Sequence, residues 1–139
     1  MKVLFVCRGN SGRSQIAMEY FRRLSKGEAD SAGTIVDQPG QILANRPAAA
    51  TAVQAMLEQG IDMSNNQRTQ LAPGMLNNYD KVVVMAEPQT IPAWLSSNPK
   101  YEYWEVTDIK GQPIEIARKL RDEIRAKVEN LLGFHQDGK

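Results

Sequence analysis

The stretch that decides the fold is Met1 to Phe21, MKVLFVCRGNSGRSQIAMEYF. Met1 to Val6 is an apolar run rich in Val and Phe, which reads as a buried strand. From Ser14 to Leu24 the apolar residues Ile16, Ala17, Tyr20, Phe21 and Leu24 recur at helical spacing. Strand, tight loop and helix in that order open a βα fold, and in parallel sheets ligands collect in the loops at the carboxyl ends of the strands. The first such loop, Cys7-Arg8-Gly9-Asn10-Ser11-Gly12-Arg13-Ser14, holds the chain's one cysteine.

Backbone N–H groups converge at a helix N-terminus and carry positive partial charge, so this loop is built to hold a tetrahedral oxyanion and to favour the thiolate of a neighbouring cysteine. Gly9 and Gly12 permit the tight turn, and Asn10 tolerates a left-handed backbone. The guanidinium of Arg13 is a planar fork able to hold two oxyanion oxygens at once. Ser14 is placed to donate a hydrogen bond to sulfur. The candidate catalytic residues are therefore Cys7 and Arg13, with Arg8, Gly9, Asn10, Ser11, Gly12, Arg13 and Ser14 as the phosphate-binding cradle. The alternative is that Cys7 is a small buried hydrophobe at a strand end. Neither the nucleotide P-loop pattern nor the dinucleotide Gly-x-Gly-x-x-Gly pattern occurs in this loop.

Working outward, Glu28 to Ala32 is a weaker strand ended by Gly33, and Ile35 to Arg46 reads as a loop. Pro47 opens a second helix that presents Ala49, Ala52, Val53, Met56 and Leu57 on one face and stops at Gly60. Asp62 to Gln70 is polar and turn-like, and Gln70 to Asn77 is at most a short helix broken near Pro73. Lys81 to Ala86, KVVVMA, is too uniformly apolar for a one-sided sheet and predicts a buried central strand. Thr90 to Ser96 predicts a short helix, Tyr101 to Val106 a fourth strand, and Pro113 to Leu132 a long amphipathic helix with Ile114, Ala117, Leu120, Ile124, Val128 and Leu131 inward. The strand aromatics Tyr101, Tyr103 and Trp104, with Trp94, read as core in preference to a partner surface. This alternation predicts an α/β protein, a single domain over 1–139 in which helices cover both faces of a parallel sheet.

The chain has 139 residues, 17 Lys+Arg against 16 Asp+Glu, and 42% hydrophobic residues. That composition supports a core without disulfide or metal and gives no basic stripe for nucleic acid. No apolar run approaches a membrane span and none at the start resembles a signal peptide, so the expectation is a soluble, cytoplasmic protein with no membrane partner. One cysteine and one histidine, His135, exclude an intrachain disulfide and a Cys/His zinc site, and no cofactor or metal is expected. His135 sits in a tail that reads as solvated.

Were the oxyanion held in the loop a phosphomonoester, its leaving oxygen would need a proton from a carboxylic acid carried over that loop on another strand end. Asp37 and Asp108 follow strands two and four and are eligible; Asp80 opens a strand and Asp62 follows a helix. The motifs VCRGNSGRSQIAMEYF, SAGT at Ser31 to Thr34, GIDMS at Gly60 to Ser64, YDKVVVM at Tyr79 to Met85 and an Asp in the last strand-to-helix loop resemble the low-molecular-weight protein tyrosine phosphatases. They are equally similar to the arsenate reductases that share the fold.

The resemblance implies a three-layer α/β/α arrangement on a four-stranded parallel sheet of order 2-1-3-4, and a phosphocysteine mechanism. It assigns Cys7 as nucleophile, Arg13 and the loop amides as holders of the equatorial oxygens, and Asp108 as the acid that protonates the leaving oxygen. Asp37 then reads as a solvated loop residue, and the alternative for Asp108 is a helix cap or a solvated side chain. The implied partners are a phosphate monoester or phosphotyrosine protein and the oxyanions phosphate, sulfate and arsenate.

Four departures stand out. Gly12 replaces the second loop cysteine of the phosphatases, so the protective intraloop disulfide is absent. Ile109 replaces the proline after the acid, and Asn65 lies near the place of a supporting histidine. Ile35-Val36-Asp37 and Ile109-Lys110-Gly111 stand where the family carries ring-stacking aromatics. The alternative activity is arsenate reduction resolved by an external low-molecular-weight thiol, because the disulfide-cascade type needs two further cysteines. A non-catalytic oxyanion-binding module is the third reading.

Overall fold

The computed structural model describes residues 1–134; His135 lies outside them. Strands β1 (Lys2–Cys7), β2 (Glu28–Gly33), β3 (Lys81–Val84) and β4 (Tyr101–Tyr103) form one sheet in the order β2-β1-β3-β4, with every pairing parallel. Helices α1 (Arg13–Leu24), α2 (Ala50–Leu57), α3 (Ala93–Ser96) and α4 (Ile114–Leu131) fall between or after the strands. This is the expected parallel sheet and order.

The central position of β1 follows from its composition. Val3, Phe5 and Cys7 face the cluster containing Ile16, Phe21, Met56 and Ile124 from the helices, while Leu4 and Val6 face Leu76, Val82 and Leu95 on the opposite side. A strand apolar at every position is stable only when both of its faces are covered. Each fully buried Val, Leu or Phe contributes roughly 1.5–3 kcal/mol, so the sheet centre is the strongest part of the core. Helix α1 packs against α4, and α2 packs against α4 beside it. Parallel pairing brings Cys7 and Gly33 level at one end of the sheet, with Val84 and Tyr103 at the same end.

The structure departs from the sequence expectation in several elements. The helix expected from Pro47 starts with a 3-10 turn, Pro47–Ala49, and becomes α-helical only at Ala50; its Leu57 is exposed. The segment around Pro73 is a 3-10 helix, Pro73–Asn78, and a further 3-10 turn, Leu43–Asn45, lies in the expected loop. Helix α1 begins at Arg13, one residue early.

Strand β4 ends at Tyr103 although the apolar pattern runs to Val106. Beyond Tyr103 the Trp104 N–H still donates to the Val84 carbonyl at 2.9 Å, and the Val106 carbonyl then accepts from Arg13 Nη1 at 3.0 Å. Of the aromatics expected in the core, Trp104 is buried and Tyr101 half-buried, whereas Trp94 and Tyr103 are exposed. Among the described residues no helix is long and apolar enough to cross a membrane.

Candidate active site

Cys7 is the last residue of β1 and is 2% exposed. After it the chain reverses through Asn10, which has φ 56, the left-handed conformation that asparagine tolerates better than most residues. Asn10 is completely buried and its side chain is fully engaged. Its Nδ2 donates to Ser14 Oγ at 2.8 Å and to Ser31 Oγ at 2.9 Å, and its Oδ1 accepts from the backbone N–H of Thr69 at 2.7 Å. Ser14 Oγ lies 3.0 Å from Cys7 Sγ. Either atom can donate in that contact while Cys7 is a thiol; once Cys7 is a thiolate, only the Ser14 hydroxyl can.

Gly33 explains why the SAGT segment belongs to this site. A Cβ there would sit 2.6 Å from the Arg8 carbonyl and 2.9 Å from the Asn10 nitrogen, so only glycine lets β2 run against the loop. Helix α1 begins directly after Gly12, whose carbonyl accepts from the Ile16 N–H, and no side chain caps its first turn. The free N–H groups of that turn therefore face the loop's concave side.

Arg13 is 2% exposed, and its guanidinium is held from behind. Besides the two carbonyls, Nη1 donates to Glu87 Oε2 at 3.0 Å and Nη2 to Glu87 Oε1 at 3.1 Å. Burial works against the charged guanidinium, but the Glu87 hydrogen bond and the neighbouring negative groups outweigh it and raise the pKa of Arg13. Burial likewise pushes Glu87 up, yet the Arg13 hydrogen bond and charge hold it below the ordinary value. Arg13 Nε is buried without a partner.

Asp108 lines the same pocket as Cys7 and the loop; its Oδ2 lies 3.9 Å from Arg13 Nη2, and its Oδ1 accepts from the Lys110 N–H at 3.1 Å. The expected residues thus converge: Cys7, Arg8, Gly9, Ser11, Gly12, Arg13 and Asp108 all line one pocket of about 230 Å³, with Asn10 and Ser14 buried beneath it. Asp80 lies at the opposite end of the sheet, accepting from the Lys2 N–H, and Asp62 caps the Ser64 N–H; neither lines the pocket.

Sequence reasoning missed three members. Glu87 follows β3, so the strand-end rule that nominated Asp108 applies to it as well. Arg68 is buried, donates from Nε to the Gly9 carbonyl at 3.0 Å and reaches Asp37 and Gln41 through Nη1 at 2.8 and 2.9 Å. Arg46 meets both Asp37 oxygens at 3.2 and 3.1 Å. Asp37 is consequently not a merely solvated loop residue: hydrogen bonds from Arg68 and Arg46 lower its pKa to about 2 although the carboxylate is open to solvent. No sequence signal joins these groups. The pocket walls add Ile35, Ala48, Ala52, Ile109 and Lys110, with no aromatic ring among them.

A cysteine at a strand end, an uncapped helix start and a buried arginine whose Nε has no partner thus meet in one pocket at the carboxyl edge of a parallel sheet. The chain belongs to the low molecular weight phosphotyrosine protein phosphatase family, whose model matches residues 2–137. Members of this group are cysteine-dependent phosphatases or arsenate reductases. The chain is 31% identical over 133 residues to the glutaredoxin arsenate reductase of Synechocystis sp., covering 94% of this chain and 95% of that protein. Its fold is similar to that of a low molecular weight protein tyrosine phosphatase from T. tengcongensis, with a TM-score of 0.79, 30% identity, and 96% and 98% of the two chains covered. It is also similar to an arsenate reductase in the phosphate binding state, at TM-score 0.76 and 29% identity over 95% of this chain and 96% of that one.

Proposed function

We propose that this protein hydrolyses small phosphomonoesters through a phosphocysteine on Cys7. The observation that carries this reading is the state of Arg13. Nη1 is committed to Glu87 and to the Met85 and Val106 carbonyls and one N–H of Nη2 to Glu87, while the buried Nε has no partner and is left, beside the second N–H of Nη2, to donate to a bound oxygen. A guanidinium fixed in this way is preorganised for charge that develops on phosphorus.

Cys7 Sγ attacks phosphorus as a thiolate; the S–P bond forms as the bond to the leaving oxygen breaks, and Asp108 gives that oxygen its proton. The loop amides and Arg13 hold the equatorial oxygens throughout. Asp108, now a carboxylate, takes a proton from water, whose oxygen attacks phosphorus and breaks the S–P bond. Phosphate leaves, and the Ser14 hydroxyl stabilises the returning thiolate. A pocket of about 230 Å³ is smaller than the roughly 300–1,000 Å³ typical of sites for drug-sized ligands, which favours a phosphoryl group on a short attachment.

The test is p-nitrophenyl phosphate hydrolysis by the wild type and by Cys7→Ser, followed by acid quench and mass spectrometry. A phosphorylated Cys7 in the wild type and abolished turnover in the variant, with the melting temperature preserved, support the reading. Turnover retained in Cys7→Ser overturns it.

The 31% identity to an arsenate reductase favours a second reading. The Cys7 thiolate would attack arsenate, forming S–As as one As–O bond breaks and its protonated oxygen leaves as water, and an external low-molecular-weight thiol would then displace Cys7 from arsenic. A second molecule of that thiol would then supply the rest of the two-electron reduction to arsenite, the thiol leaving as its disulfide. With one cysteine in the chain, the reducing equivalents come from outside it. Arsenate-dependent oxidation of a thiol, measured beside p-nitrophenyl phosphate hydrolysis, separates the two.

A further inference from the structure

One wall of the pocket is a cluster that the proposed reaction does not use. Asp37 is shared between two guanidinium groups: Arg46 Nη1 meets both of its oxygens, and Arg68 Nη1 meets Oδ1 at 2.8 Å. One carboxylate between two guanidiniums leaves the wall positively charged. Asp37 is already ionised at any working pH, so that charge balance does not vary with conditions. Two N–H groups of the cluster, Arg46 Nε and Arg68 Nη2, are buried without a partner. Orphaned donors on charged groups are the kind of feature that a ligand's anionic oxygen satisfies.

Other features of the pocket agree. Lys110, opposite on the Asp108 loop, adds another cation, and no ring is present to stack an aromatic leaving group. The nearby apolar groove formed by Ala50, Val53 and Leu57 meets the pocket at Arg46, which lines both. Ala48 and Ala52, on the pocket side of the same segment, lie on the opposite face from those residues, because positions four apart share a helix face. Beyond the phosphoryl group, the pocket's chemistry is chiefly cationic.

We propose that the Arg46–Asp37–Arg68 cluster is a second anion subsite, and that the preferred substrate is a small phosphomonoester whose leaving group carries a carboxylate or another anionic group. This rests on the phosphatase reading, and its test separates the two. Phenyl phosphate is compared with meta- and para-carboxyphenyl phosphate in steady-state kinetics, with wild type and Arg46→Gln. In parallel, binding of benzylphosphonate and its carboxylated isomers, which are not hydrolysed, is measured by calorimetry.

The wild type is expected to favour one carboxylated isomer by about tenfold in kcat/KM and in Kd, the size of one hydrogen bond to a charged group. The preference should shrink with added salt and fall towards one in Arg46→Gln. Equal kcat/KM and Kd for plain and carboxylated compounds in the wild type overturn the subsite, as does a preference unchanged in Arg46→Gln. If no phosphate ester is turned over, the phosphatase reading fails, and the phosphonate affinities still decide the subsite.

Discussion

Glu87 and Arg13 meet as carboxylate and fork, Oε2 on Nη1 at 3.0 Å and Oε1 on Nη2 at 3.1 Å, across 74 residues of sequence. The contact fixes which edge of the guanidinium is left for an oxyanion. Glu87→Gln keeps the shape and removes the charge. The expected result is about tenfold weaker inhibition by inorganic phosphate and a similar loss in kcat/KM, the size of one charge-assisted hydrogen bond. Unchanged phosphate inhibition would remove Glu87 from the site's function.

The same pair sets a pH window for stability. The folded-state pKa of Glu87 lies below its ordinary value of 4.5, so the pair's contribution is complete above that value and is lost as pH falls through the lowered one. Denaturant titrations of the wild type and Glu87→Gln should therefore differ at neutral pH and converge on acidification. A gap that widens in acid would contradict the sign.

Asp108 has no proline after it, yet it stays in the pocket because Oδ1 accepts the Lys110 N–H and Oδ2 lies near Arg13. Asp108→Asn keeps the local hydrogen bond and removes the transferable proton. It should lower kcat/KM, which reports the step that expels the leaving group, by about 10²–10⁴ for phenyl phosphate and by less for p-nitrophenyl phosphate, whose leaving group needs less protonation. Equal losses on both esters would argue against general-acid catalysis.

Gly33→Ala is a test of loop geometry away from the reacting atoms. The added Cβ would meet Arg8 O at 2.6 Å, Val36 Cγ2 at 2.7 Å and Asn10 N at 2.9 Å. Two of these are backbone atoms that cannot rotate aside, so a cost of about 1–3 kcal/mol and a drop of several degrees in Tm are expected, together with lost phosphate binding. A variant as stable as the wild type would show that β2 and the loop have slack.

Tyr79 lies on the opposite side of the sheet from the helices that flank the site. Desolvation, and after it the hydrogen bond to Asp30 Oδ2 at 2.8 Å, raise its pKa to about 12. A raised folded-state value means that its stabilisation is present below pH 10 and is lost as pH climbs from 10 to 12. Burial raises the pKa of Tyr20 and Tyr101 as well, so ultraviolet titration should show at least one fewer phenolate near pH 11 in the wild type than in the unfolded chain, and Tyr79→Phe should remove the latest-titrating group.

The comparison of sequence with structure divides along contact range. Cys7 to Ser14 was legible because strand end, turn residues and helix start are contiguous, and local backbone chemistry is enough to predict an anion cradle. The layers were legible because KVLFVC and KVVV are apolar without alternation, which only a doubly covered strand tolerates. Asp37 was misread for the opposite reason: its partners Arg46 and Arg68 are 9 and 31 residues away, and a carboxylate in a polar loop carries no sign of them.

The sequence by itself determined a parallel sheet and singled out Cys7 and its glycine-rich loop as the candidate site, both matters of local order and apolar pattern. Only the tertiary structure decided that Glu87 orients Arg13, that Gly33 must lack a side chain, that Arg13 takes the Met85 and Val106 carbonyls, and that one wall of the pocket is cationic. Parallel crossovers bring the carboxyl ends of all four strands to one edge of the sheet. A side chain and a carbonyl 93 residues apart therefore meet there without leaving a pattern along the chain.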